Sequence, residues 1–332
     1  VSLDATRQAA NLAFLASGAE FRFGDASLLP WTETELAAMQ ADHAAVRLVL
    51  DGGLSARVMQ LQAADGRHFA LKQARAECRV RNADGATSFL NELQRHVDLR
   101  GAAPGIVQPL FGSLRRGIVV SPWIAGHAPD LGDERAARAL FAAAFALLRR
   151  GCFEWDYAPG NLLDDGEQVW LYDFGYCYRF DPLRQFNSAG ATGTEHPEHH
   201  LVERIEARNL FAELLDRDDA LPAFLRFRRV ALQACGGWRD ELRERGAAAF
   251  IVDDWSRRLE AWALGLDRDP EALYLAAARA AHEADLLDDL RGQSCTPRTL
   301  RRADWLLHHA PDAASRERLR EQRRQAEAWQ QH

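Results

Sequence analysis

Asp156 stands five residues before Asn161, and Asp173 opens the tripeptide Asp173-Phe174-Gly175 directly after the strand-like run Val169 to Tyr172. Oxygen donors of these kinds suit phosphate chemistry. One carboxylate can orient an attacking hydroxyl, while an amide oxygen and a second carboxylate hold magnesium on nucleotide phosphates. Magnesium fills most of its shell with water or phosphate oxygen, so Asn161 and Asp173 suffice as protein ligands. Taken singly, each aspartate is a turn or cap residue.

The chain carries 41 basic side chains, 40 of them arginine and one lysine. That one is Lys72, at the end of the run His68-Phe69-Ala70-Leu71-Lys72. An ammonium on a flexible stem reaches a phosphate oxygen as a point charge, whereas a guanidinium is a rigid planar fork. Arginine-rich coding explains why lysine is scarce but not where it sits; a random survivor lands here in roughly one case in 41. Glu92 follows 20 residues later on a helical stretch, near enough to pair with the ammonium. Ahead of Lys72 lies Asp51-Gly52-Gly53-Leu54-Ser55-Ala56-Arg57-Val58, where backbone amides around Gly52, Gly53, Ser55 and Val58 can cover phosphates. Gly-Gly between strands is by itself a turn signal.

The elements that must position these residues follow from periodicity. Residues 1–45 read as a helical N-terminal extension, with Thr32 and Glu35 spaced as a capping box. Period-two alternation then predicts three antiparallel strands around Val46–Leu50, Val58–Leu61 and Phe69–Leu71. Helical spacing returns over 87–99, and Ile106-Val107 and Ile118-Val119-Val120 read as two further strands. Beyond Gly126 the pattern is helical nearly to the end, interrupted between Gly151 and Pro197 by a turn-rich stretch. That stretch holds a hairpin, Leu162-Leu163 against Val169–Tyr172, turned at Asp164-Asp165-Gly166.

Over residues 46–215 this ordered set resembles the protein kinase-like superfamily. The resemblance implies an α+β, bilobal fold: a small lobe of five antiparallel strands and one main helix at 46–122, and a larger helical lobe with a C-terminal extension at 123–332. It implies ATP and Mg²⁺ in the cleft. Gly52 and Gly53 become the glycine-rich loop, Lys72 the contact to the α and β phosphates, Glu92 its partner, Asp156 the catalytic aspartate, and Asn161 and Asp173 the metal ligands. Ser121-Pro122-Trp123-Ile124-Ala125 falls at the hinge whose backbone receives adenine, which makes Ser121 and Trp123 nucleotide contacts. Departures narrow the branch. Glu154-Trp155 replaces the usual His-Arg, so a phosphorylated loop has no arginine there to grip it. Asp-x-x-Pro-Gly-Asn looks like aminoglycoside phosphotransferases and choline kinases, while Asp-Phe-Gly and the segment Gly193–Glu198 are closer to protein kinases. The mixture is similar to bacterial atypical kinases, including the lipopolysaccharide sugar kinase group. Asp51 and Ala56 stand at two expected glycines. Three readings follow: a phosphotransferase acting on a small-molecule or glycan hydroxyl, a protein Ser/Thr kinase, and a nucleotide-binding pseudokinase scaffold.

Composition sets the surroundings. A net charge of −7 argues against a nucleic-acid partner. Five dispersed cysteines without CxxC spacing suit a reducing, cytoplasmic setting, and no run of about 18 apolar residues offers a transmembrane segment. His196, His199 and His200 with Glu195 and Glu198 lack metal-site order and read as part of a substrate-side loop. Cys152 and Cys177 read as buried thiols rather than a redox pair. The arginine-rich run Ala314–Gln331 reads as a solvated helix, with contact to an acidic surface such as a membrane as the alternative.

Overall fold

The computed structural model describes residues 1–293 and 295–330. The chain begins with α1 (Leu3–Ala16), β1 (Arg22–Gly24) and α2 (Glu33–Ala38), followed by β2 (Val46–Leu50), β3 (Ala56–Gln62) and β4 (His68–Ala74). Helix α3 (Ala83–Asp98), β5 (Phe111–Ser113) and β6 (Ile118–Pro122) complete this part. Its strands form one six-stranded antiparallel sheet in the order β1-β5-β6-β4-β3-β2. Side-chain alternation decides which residues meet. Met59, Leu61, Phe69, Leu71, Ile118 and Val120 share a face that is covered by Leu36 and Met39 at α2. On the opposite face the register sets Lys72 between Val58 and Val119, and all three line a cleft.

The helical part opens with α4 (Glu134–Arg149), and two short ladders follow: β7 (Cys152–Glu154) with β10 (Cys177–Arg179), and β8 (Leu162–Asp164) with β9 (Val169–Leu171). Then α5 (Leu201–Ile205) runs through a π-helical turn (Glu206–Leu210) into α6 (Phe211–Leu214). Helices α7 (Ala220–Glu244), α8 (Ala249–Arg268), α9 (Pro270–Arg291), α10 (Pro297–His308) and α11 (Ala313–Gln330) close the chain. Phe141, Phe153, Phe174, Phe211, Phe224 and Phe227 are fully buried in a single core here. No helix among the described residues is long and apolar enough to cross a membrane. On α11, Arg323 pairs with Asp304 at 2.6 Å, Arg320 with Glu317 at 3.3 Å, and Arg324 with Glu321, so these charges are met by neighbouring acids.

Three expectations need correction. Residues 1–45 are not wholly helical: β1 pairs with β5 and becomes the sixth strand, on a segment with only Phe23 as an apolar signal. Ile106-Val107 lies outside the sheet; Ile106 bridges in parallel to Leu171, and the Val107 amide donates to the Leu171 carbonyl at 3.0 Å. The fifth strand is instead Phe111–Ser113, whose Gly112 admits the Phe23 ring where a Cβ would approach to 2.5 Å. Helix α3 starts at Ala83 rather than near residue 87, because Asn82 caps it by accepting from the Gly85 amide at 2.8 Å.

Contacts near both ends of the segment Asp84–Asn91 help to fix α3 against the rest of the molecule. Arg7 and Gln8 of α1 donate to the Asp84 carboxylate at 2.8 and 3.0 Å. Further along, the buried Asn91 amide donates to the carbonyls of Phe174, Gly175 and Cys177 at 3.1, 3.1 and 2.8 Å. Asn91 thereby ties the helix that carries Glu92 to the segment that carries Asp173. Substituting Asn91→Leu removes this donor from three buried carbonyls, of which Phe174 keeps the Cys177 amide at 3.1 Å, and is expected to cost about 2–3 kcal/mol, measured by urea unfolding. An unchanged midpoint would show that the tie contributes nothing.

Candidate active site

Lys72 reaches across the cleft to two carboxylates, donating to Glu92 Oε1 at 2.8 Å and to Asp173 Oδ2 at 2.7 Å. Residues separated by 101 positions in sequence thus meet at one ammonium. Burial alone would lower the lysine pKa, but Asp173 and Glu92 outweigh it and raise Lys72 above its ordinary value. Burial likewise pushes Glu92 up, and Lys72, aided by His96, more than reverses this and holds the carboxyl below its ordinary value. His96 lies 3.7 Å from Glu92, and its ring packs edge-on against Phe174 with centroids 5.3 Å apart.

Asp156 is the second focus. Its Oδ2 accepts from Asn161 Nδ2 at 3.0 Å and its Oδ1 from Arg208 Nε at 3.0 Å. Asn161 also donates Nδ2 to the Asp156 carbonyl at 2.9 Å, which uses the amide nitrogen and leaves Oδ1 as an acceptor. Pro159–Asn161 forms a single 3₁₀ turn that brings Asn161 back under Asp156. Consecutive residues of this loop are held from one element: Arg204 Nε donates to the Trp155 carbonyl at 3.1 Å, Arg208 to Asp156, and Asn209 Nδ2 to the Tyr157 carbonyl at 3.0 Å. A π-helical turn shifts the phase of the helix, which brings the adjacent Arg208 and Asn209 to the same loop.

Between these foci lies a cleft of about 770 Å³, lined by Lys72, Glu92, Asp156, Asn161 and Asp173 as well as by the loop before β3 and the end of β6. Gly52, Gly53, Ser55, Val58, Ser121 and Trp123 all border it. Gly53 is required by space, since a Cβ there would lie 2.4 Å from the Ala56 carbonyl oxygen. Asp51, at a position where glycine was expected, helps to pin the loop: Arg75 Nη2 donates to its carboxylate at 2.8 Å, and Arg75 Nε to the Gly53 carbonyl at 3.0 Å. The Trp123 amide donates to the His68 carbonyl at 3.1 Å and is unavailable to a ring in the cleft. By ladder alternation the Ser121 backbone faces Ala70 in β4, so the next amide able to face the cleft is that of Ile124.

The donor set suits magnesium. Asp173 Oδ1 accepts the Gly175 amide at 3.1 Å, which orients the carboxylate, and one carboxylate with one amide oxygen is the hard, oxygen-only chemistry that ion takes. Among the described residues no group of three or more His, Cys, Asp or Glu is arranged to hold a metal. His200 caps α5 through Nδ1, accepting the Glu203 amide at 3.2 Å, and His196 pairs with Glu198 at 3.1 Å. Cys152 and Cys177 are buried free thiols.

Sequence reading missed Arg208 and Asn91, and it noted Glu154 only as a departure from the usual His-Arg, with no role of its own. An arginine carries no signal among 40, and a buried Asn on a helix has none of its own. Glu154 accepts the Asp156 amide through Oε1 at 2.7 Å, while its buried Oε2 has no partner among the described residues. Burial, reinforced by Asp156 and Asp173, pushes its carboxyl well above the ordinary value of 4.5. A carboxyl raised on folding leaves stability intact below the unfolded value and removes it as pH climbs toward the folded one. Glu154→Gln keeps the accepting oxygen. Relative to wild type it should gain stability steadily as urea melts move from about pH 4.5 upward. A difference independent of pH would contradict this.

No protein-family model matches the sequence, and no curated protein matches it.

Proposed function

We propose that the protein is a magnesium- and ATP-dependent kinase of the protein kinase-like type, with its cleft between two lobes, transferring a terminal phosphoryl group to the hydroxyl of a small molecule or glycan. One observation carries the reading. Lys72, Glu92 and Asp173 converge at one wall of the cleft, and the Asp156–Asn161 turn lies on the same cleft, in the order the resemblance requires.

Each residue has a chemical task. Lys72 has three ammonium hydrogens, two directed at carboxylates, which leaves one for a phosphate oxygen. Glu92 fixes the height of that ammonium through a helix anchored by Asn91. Asn161 Oδ1 and Asp173 supply the two oxygens for magnesium, which when bound neutralises phosphate charge. Ile124 offers a backbone amide at the end of β6 for a purine edge. Asp156, held on both oxygens, orients the acceptor hydroxyl and takes its proton. The acceptor oxygen bonds to phosphorus as the bond to the bridging oxygen breaks, and ADP leaves with that electron pair. Positioning and charge supply most of the acceleration in such a site.

The loop beyond Asp173 favours an acceptor other than a regulated protein chain. Asn187 Nδ2 holds it by donating to the carbonyls of His196 and His199, both at 2.8 Å, and Glu195 accepts the amides of Thr192 and Thr194, both at 2.9 Å. These contacts order the loop without any phosphate, and where the resemblance expects a phosphate-gripping arginine there is Trp155, whose indole donates to Ser188 at 2.8 Å.

Turnover of magnesium-ATP with a fractionated pool of small acceptors tests the reading. Asp156→Asn should lower turnover by about 10²-fold or more while ATP affinity stays within about threefold. Lys72→Arg should likewise lose turnover far more than affinity, because the planar fork displaces the phosphates. Wild type that turns over no faster than Asp156→Asn would remove the enzyme reading and leave a nucleotide-binding scaffold.

A further inference from the structure

Lys72 and Arg208 are the arginine and lysine side chains that line the cleft, and Lys72 is already held by two carboxylates. Arg208 is differently placed. Its Nε donates to Asp156 Oδ1 at 3.0 Å, its Nη1 to the buried Asp285 on α9, and its Nη2 donates to nothing among the described residues. Asp285 is in turn gripped by Arg302 on α10 and is 1% exposed. A guanidinium of a cleft-lining residue, held by a buried carboxylate and by the residue that faces the acceptor, and keeping one NH₂ without a partner among the described residues has the form of a phosphate contact.

We infer that Arg208 is a catalytic residue that binds the phosphoryl group in flight, donating from Nη2 to an equatorial oxygen while Nε keeps Asp156 aligned. This rests on the kinase reading above. The chemical reason is charge. The transferring group spreads negative charge over three oxygens between donor and acceptor, a stage that a preorganised donor stabilises more than it stabilises bound nucleotide. Lys72 is paired with Glu92 and Asp173 and not with Asp156, so a cation beside Asp156 has to come from elsewhere. Residues 157–161, which follow Asp156, contain no basic side chain, and Arg208 enters from the helix beneath. A purely structural brace would need only the contacts to Asp156 and Asp285. The unspent Nη2 is what separates the two roles.

Equilibrium binding separates them without an acceptor. With magnesium present, ADP affinity is measured with and without aluminium fluoride, whose complex mimics the planar phosphoryl group. Wild type should bind ADP at least about 100-fold more tightly with fluoride, and Arg208→Gln should keep ADP affinity within about threefold while losing most of that gain. Arg208→Lys, which keeps a positive charge opposite Asp285, should retain part of the gain and serves if the glutamine variant does not fold. A fluoride gain equal to wild type in either folded variant would overturn the assignment. Wild type that binds magnesium-ADP but gains nothing from fluoride would overturn it while leaving the kinase reading to its turnover test. Failure of wild type to bind magnesium-ADP at all would remove both.

Discussion

The cleft depends on one partly buried ammonium shared by two carboxylates. At separations near 3 Å an effective dielectric of about 20 gives each pair a gross attraction of roughly 5 kcal/mol. Each ion gives up several kcal/mol of hydration to be there. As a source of stability the cluster is therefore close to break-even, and its value is positional. It fixes the sheet through Lys72, helix α3 through Glu92 and the segment after β9 through Asp173 at a single point. Two carboxylates against one ammonium also leave a net negative charge, which a divalent cation at Asp173 would relieve.

Around that point the molecule spends its buried polar groups on backbone. Asn91 holds the carbonyls after Asp173, and Arg204, Arg208 and Asn209 hold the loop from Trp155 to Tyr157. Such contacts do little for overall stability beyond satisfying buried acceptors, but they remove the freedom of loops that would otherwise drift. The acids and arginines of α9 and α10 extend this outward, because Asp285 links Arg208 to Arg302. The C-terminal helices thus belong to the site's support.

How much of this was legible follows from the strength of each signal. Lys72 could be found because it was chemically unique in its sequence, and Asp156, Asn161 and Asp173 because fixed spacing and a hairpin accompany them. The strands β2, β3 and β4 showed period-two alternation, and β6 showed the short apolar run Ile118-Val119-Val120. By contrast, β1 and β5 are three residues each, too short to alternate; β5 is recruited by pairing with β6, and β1 by pairing with β5. Ile106-Val107 has the side chains of a strand but is spent on a bridge to Leu171. The Trp123 amide was assigned by position along the chain, whereas ladder parity, visible only once His68 is opposite, determines which amides are free. Arg208 was hidden by abundance.

The most direct measurement is calorimetric titration of ATP into the wild-type chain with magnesium and again with the metal chelated. If Asp173 and Asn161 bind nucleotide through a metal while Lys72 holds its phosphates, affinity should be measurable with magnesium and fall by about tenfold or more without it. Equal affinity in both conditions, or no binding in either, would contradict the account of the cleft.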